Sequence, residues 1–322
     1  PPPPPPHDPP GLERQAHVDF FVQQLVNGVT LGSVYALIAL GYSMVYGILK
    51  LLNFAHGDVY MIGAFIGYFV LTAFGGASDT MIPVAPLLIL MLLAAMLGAG
   101  LLGVTIERFA YRPLRNAPRI APLISAIGVS FFLQASALLL FSAQFRTYST
   151  PQLIPVTTGI EVGPLRISLV RILVITSAVA LMIALTLLVN RTRLGKAMRA
   201  VSYDREAAAM MGIDVDRVIV ATFFIGSILA GAAGVMVGLV FERVFHFMGF
   251  IAGLKGFTAA VIGGIGNIPG AMLGGLLIGL AEAFSASYVS STFQNLIVFA
   301  ILITFMLVRP TGILGSPVLK KV

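Results

Sequence analysis

The sequence predicts an all-α, polytopic membrane protein of about eight to nine transmembrane helices, some broken into half-helices, and three observations carry that expectation. Hydrophobic residues fill 58% of the 322 positions and charged residues only 10%, against roughly 25% charged in soluble domains. The apolar residues gather into nine runs, 20–49, 58–74, 83–106, 120–142, 167–190, 218–241, 244–265, 268–288 and 293–308, and a helical crossing takes about 20 residues. Of the 20 basic residues, 13 lie in 105–119, 190–217 and the tail from Arg309, the short clusters that hold loops on the cytoplasmic side. The formal charge of +7 therefore encodes orientation in a lipid bilayer, and no nucleic-acid partner is expected. Because the chain has no cysteine, disulfide scaffolding, thiol catalysis and thiolate metal sites are excluded.

Taken in order, residues 1–19 (PPPPPPHDPPGLERQAHVD) are polar and proline-rich, with no apolar core for a signal peptide. They read as a disordered tail of polyproline II character. Run 20–49 carries no charge; as one straight helix it reaches about 45 Å against roughly 30 Å of hydrocarbon, so it must tilt strongly or break near Gly41. The basic segments share a side only if even numbers of crossings separate them. Two runs lie between Arg119 and Arg191, joined by the linker 143–166 with Pro151, Pro155 and Pro164, which places that linker outside. Four lie between Arg217 and Arg309 when 244–265 is counted. That run carries Lys255 and is interrupted by Gly249, Gly253, Gly256, Gly263 and Gly264; it is expected as irregular half-helices, tolerated at depth only where protein or water covers them. Nine crossings leave the N-terminus outside and put segments 105–119 and 190–217 and the C-terminal end 319–322 in the cytoplasm. The span 20–318 is then one transmembrane domain. Glycines recur four apart at Gly28/Gly32, Gly63/Gly67, Gly234/Gly238, Gly266/Gly270, Gly270/Gly274 and Gly275/Gly279, the spacing that lets helix backbones approach closely in lipid.

No enzyme can be assembled from these residues. The four histidines, His7, His17, His56 and His246, form no HExxH pair, and Gly195-Lys196 is followed by Ala197 and preceded by Asn190 where a phosphate-binding loop needs glycine. No catalytic residue, cofactor or metal is expected, and any drive from ATP must come from another polypeptide.

Three segments carry candidate function. In 190–217, Asp204 reads as the N-cap of a short helix with Glu206 in its first turn and Gly212 as its stop. Between them Ala207 to Met211 form a small, adaptable apolar knob, suited either to a partner's groove or to lying on the headgroups. In Asn53–Asp58, polar residues separate two apolar runs. Asp58 and Asn53 either cap the adjoining helices or, with His56, line a midplane cavity where helix ends meet the charges of a bound solute. Third, Lys255 must snorkel, pair or face water, because a bare charge at the bilayer centre costs about 2.5–3.5 kcal/mol; Glu242 and Glu282 are its candidate partners, an interfacial loop the other reading. Asn267-Ile268-Pro269-Gly270 reads as a turn into a helix start. Asn53, His56, Asp58, Lys255 and Asn267 are the candidate residues of a substrate pathway.

Glu206-Ala207-Ala208 followed by Gly212 resembles the coupling motif of ABC importer permeases. Asn27-Gly28-Val29-Thr30-Leu31-Gly32-Ser33, Tyr35-Ala36-Leu37-Ile38-Ala39-Leu40-Gly41-Tyr42 and Asn53-Phe54-Ala55-His56-Gly57-Asp58 resemble the branched-chain amino acid permease family. So do Phe257–Gly266, Ile268-Pro269-Gly270-Ala271 and Pro310-Thr311-Gly312-Ile313-Leu314-Gly315, and the likeness spans about 20–318. The resemblance implies an inner-membrane permease subunit paired with a homologous second permease as a heterodimer, two cytoplasmic ATPase subunits, and a periplasmic binding protein delivering leucine, isoleucine or valine. It assigns coupling to Asp204, Glu206, Ala207, Ala208, Met211 and Gly212. One departure is that Gly212 is followed by Ile213-Asp214-Val215-Asp216-Arg217 without the proline of the general motif, so contacts after Gly212 do not carry over. Within the same family urea or short amides are the alternative cargo. An ion-coupled secondary transporter has thin support, since only Asp58, Glu242 and Glu282 lie near membrane depth.

Overall fold

The computed structural model describes residues 10–315 apart from 79, 116, 119, 156, 163 and 164. Residues 1–9 of the expected tail, Arg119, Pro164 and the end 319–322 with Lys320 and Lys321 lie outside the described residues.

Each of the nine apolar runs becomes a helix: α1 (Pro10–Leu49), α2 (His56–Ala73), α3 (Val84–Ile106), α4 (Ile120–Phe141), α6 (Leu169–Arg191), α9 (Val215–Phe241), α10 (Met248–Gly263), α11 (Ile268–Tyr288) and α12 (Gln294–Val308). Three short helices, α5 (Thr150–Leu153), α7 (Arg193–Tyr203) and α8 (Arg205–Met210), sit in the connections. Six of the helices are long and apolar enough to cross a membrane; α10 and α12 are shorter apolar helices. This is a multi-pass membrane protein.

Three readings are corrected. α1 is a single helix of 40 residues, so residues 10–19 belong to it and not to a disordered tail; Pro10 stands at its first position, where a fixed φ and a missing N–H suit a helix start. Nor does α1 break at Gly41. That glycine is a notch: a Cβ there would run into the His56 ring and lie 3.1 Å from the Gly226 carbonyl oxygen. Likewise 248–263 is one continuous helix and not two irregular halves, because its glycines serve contact with neighbours. A Cβ on Gly253 would lie 2.9 Å from the Gly57 Cα, and one on Gly249 2.9 Å from the Asp58 Cα.

α1, α9 and α11 form the centre, with α3, α4 and α6 at the periphery. In α1 89% of the apolar window is buried inside the protein, against 28% in α4 and α6. The central helices touch through backbone. Gly28 and Gly32 of α1 face Leu280 and Leu276 of α11, where added Cβ atoms would lie 2.9 and 2.7 Å from the respective Cα atoms; Gly275 and Gly279 return the contact onto Ala36 and Gly32. Gly63 of α2 meets Gly231 of α9, which also abuts Ala95 and Ala99 of α3.

The two ends of the bundle differ. At one end α3 continues through a π-helical turn at Glu107–Tyr111 and a 3-10 turn at Arg112–Leu114, and Arg115 bridges Glu107 and Asp216 while Arg112 pairs with Asp216 at 2.7 Å. Arg205 Nη2 donates to the Ile48 carbonyl at 2.7 Å, and Asn267 Nδ2 to the Leu314 carbonyl at 2.6 Å. The described residues of segments 105–119, 190–217 and 309–315 thus share one end, the arrangement their charges demand. At the other end strand β1 (Arg146–Thr147) pairs antiparallel with β4 (Arg243–Val244), and β2 (Gly159–Val162) with β3 (Leu165–Ser168). Tyr148 is driven from this end between α2 and α9, its hydroxyl donating to the Ala64 carbonyl at 2.6 Å over Gly67 and Gly238.

Replacing Gly32 by Val is expected to lower the unfolding midpoint of the detergent-solubilised chain, an overpacking cost of about 1–3 kcal/mol. Gly128→Ala on α4, where a Cβ meets nothing within 4 Å, should leave the midpoint unchanged or slightly raised. Equal losses at both sites would contradict backbone contact as the packing principle.

Candidate functional site

The knob is built as the local chemistry requires. Asp204 leaves α7 in an extended conformation, and its carboxylate accepts from the backbone N–H groups of Glu206 and Ala207 at 3.0 Å each, satisfying two donors that the first turn leaves unpaired. α8 ends at Met210, and the chain turns away two residues later at Gly212, whose φ of +80° is the left-handed conformation that favours glycine. Ala208 is buried and anchors the turn, whereas Glu206, Ala207, Met211 and Gly212 face outward. Met210 and Met211 are 83% and 82% exposed, and Tyr203 96%. An aromatic residue before an N-cap commonly folds back onto the fourth helical residue; Tyr203 does not. Its role was not evident from the motif, and the signal available was an aromatic ring next to a capped helix of alanines. Arg205 ties the knob to the core through the end of α1.

The Asn53–Asp58 segment lies deep. The His56 ring covers Gly41, eight residues before the end of α1, so the chain doubles back about 12 Å along that helix before α2 begins. Asp58 does not cap α2. Its fully buried carboxylate accepts from Ser130 Oγ and, at 3.1 Å, from Gln134 Nε2 on α4, with no cation paired to it among the described residues. Asn53 Oδ1 accepts from the Tyr111 hydroxyl at 3.1 Å. His56 packs edge-on against Tyr42 with centroids 4.9 Å apart, and its Nε2 is buried without a partner. The start of α10 arrives at the same place, Gly249 and Gly253 against Gly57, so two helix N-termini converge inside the bundle.

Lys255 has partners of its own. Its Nζ pairs with Glu282 Oε1 at 2.6 Å, and the Tyr35 hydroxyl donates to Glu282 Oε2 at 2.8 Å. All three side chains are buried, linking α10, α11 and α1. The partner is Glu282 and not Glu242, which stands at the C-cap of α9. Asn267 caps α11, accepting from the Gly270 N–H at 3.2 Å. The five pathway candidates therefore divide into one segment of three (Asn53, His56, Asp58), an ion-paired Lys255 with a different set of partners, and a helix cap at the basic end.

The model of the permease component of branched-chain amino acid transport systems matches residues 24–307. The chain is 44% identical over 305 residues to the high-affinity branched-chain amino acid transport system permease protein BraD of Pseudomonas aeruginosa, covering 94% of this chain and 98% of that one. It is also 44% identical over 308 residues, with the same coverage, to the corresponding permease protein LivH of Escherichia coli K12. A probable branched-chain amino acid transport permease of Methanocaldococcus jannaschii is 25% identical over 300 residues, 90% of this chain and 91% of that one. No solved structure matches.

Lys255→Met, which strands Glu282 in the core, should destabilise the protein by roughly 3–5 kcal/mol in denaturant unfolding. Lys255→Met with Glu282→Leu should recover most of that loss, since replacing both partners removes the uncompensated charge. A double variant as unstable as the single one would show that the ion pair is not what holds α10 to α11.

Proposed function

The chain belongs to the family of permease components of branched-chain amino acid transport systems, and from that premise we propose that it is the membrane subunit of an ATP-driven importer carrying leucine, isoleucine or valine. It is a permease and not an enzyme. The observation that carries the mechanism is the exposed knob. Two methionines and a tyrosine on a capped turn, at the end that gathers the basic segments, present the adaptable apolar surface that a partner's groove accepts.

With the basic end in the cytoplasm of a bacterial inner membrane, the partners on that side are two ATPase subunits. A homologous second permease completes the channel, and a periplasmic binding protein delivers the amino acid at the β1–β4 end. Hydrolysis acts only as far as the ATPase contacts the inward- and outward-facing states differently. Leverage passes from α8 through Arg205 into α1, and from α1 to the helices packed on its glycines. Selectivity is largely set by the delivery protein.

Met210→Asp with Met211→Asp should abolish copurification of the ATPase subunit and cut leucine uptake by more than about tenfold, the scale of an interface hot spot. Membrane yield should be unchanged, because both side chains lie outside the core. Uptake at the full rate would overturn the coupling role of the knob.

A further inference from the structure

The end of the bundle opposite the knob holds a cavity of about 320 Å³ between α1, α6, α9, α11 and α12. Its depth places it at the far end of the lever. Asn27 and Ile48, where Arg205 docks, are separated by 21 residues of one helix, roughly 30 Å.

Three polar groups converge there from three helices. From α6 comes Arg171, which makes no hydrogen bond or ion pair among the described residues and so offers an unspent cation. From α1 comes Asn27, whose Nδ2 donates to Gln24 Oε1 at 2.9 Å while its Oδ1 is buried without a partner. From α11 comes Glu282, held in place by Lys255 and Tyr35; each carboxylate oxygen uses one acceptor position on these partners and retains another. Leu31, Val240 and Phe241 supply apolar wall between them.

A simple anion would satisfy Arg171 but, with Lys255 already balancing the charge of Glu282, would leave Asn27 Oδ1 and the spare acceptor positions of Glu282 without a donor. A simple cation would meet Glu282 but be repelled by Arg171. The arrangement suits a ligand with both charges close together and an aliphatic remainder, and an unpaired buried acceptor such as Asn27 Oδ1 is costly until a donor reaches it. Resting on the family-level function proposed above, we propose that this cavity is a binding station for an aliphatic zwitterionic amino acid, its carboxylate on Arg171 and its ammonium on Asn27 Oδ1 and Glu282. The Lys255–Glu282–Tyr35 network then has a second purpose, to hold a carboxylate at the cavity wall in a fixed orientation.

Because the chain contains no cysteine, Ser287→Cys on the cavity wall gives this polypeptide a single thiol. Maleimide labelling of it is followed in the assembled transporter after separating the subunits. Uptake is measured first, so that a complex importing no branched-chain amino acid overturns the substrate reading before labelling is interpreted. In a complex that does import leucine, millimolar leucine should slow labelling several-fold, while leucinamide, which lacks the carboxylate, and isocaproate, which lacks the ammonium, should not. Adding Arg171→Gln should weaken the protection roughly tenfold, and Arg171→Lys, which keeps the charge, should retain part of it and serve as the folding control. Labelling indifferent to leucine in a leucine-importing complex, as when Arg171 serves a lipid phosphate instead, would overturn the proposal.

Discussion

Helices surrounded by lipid gain nothing by hiding apolar side chains from one another, since the tails around them are as apolar as leucine. They must meet through backbone contact or through polar bonds, and this constraint governs the bundle. Along α1, Gly28 and Gly32 bring α11 to within contact of its main chain, and Gly275 and Gly279 complete the seam from the other side. Gly231 does the same for α2 and α3 at once. Side chains on these faces would separate the central helices, and the Lys255–Glu282–Tyr35 network depends on their closeness.

The polar bonds follow from that packing. Lys255 reaches Glu282 and Tyr35 because α10, α11 and α1 are already in contact. Asp58 reaches Ser130 and Gln134 on the otherwise lipid-facing α4, tying a peripheral helix to the core by hydrogen bonds where apolar packing would not. α1 passes through all of this as one uninterrupted helix, with the proposed amino acid station near its beginning and the docking point of the coupling knob near its end.

Much of this was legible in the sequence, for physical reasons. Apolar runs bounded by charge or proline specify helices in lipid, because backbone groups have no other partners there, and all nine runs became helices. The knob was legible because capping is local: Asp204, Ala208 and Gly212 lie within nine positions. Glycine was read less well. In 248–263 it was expected to interrupt a helix, and at Gly41 a break was one of two readings beside a strong tilt, yet in both places it marks contacts with residues distant in sequence, which no local pattern reveals. The same holds for polar partners. Ser130 and Gln134 lie 72 and 76 positions from Asp58, and nothing local to Lys255 separates Glu242 from Glu282. The cavity at Arg171 draws on five helices and left no contiguous motif.

Leucine uptake into proteoliposomes, compared between this chain alone and the chain assembled with its second permease and ATPase subunits, addresses the source of energy most directly. Uptake should require the ATPase subunits and ATP, and should persist when ionophores collapse the proton and sodium gradients. Accumulation of leucine by this polypeptide alone, following an ion gradient, would contradict the proposal that its driving force arrives through the knob.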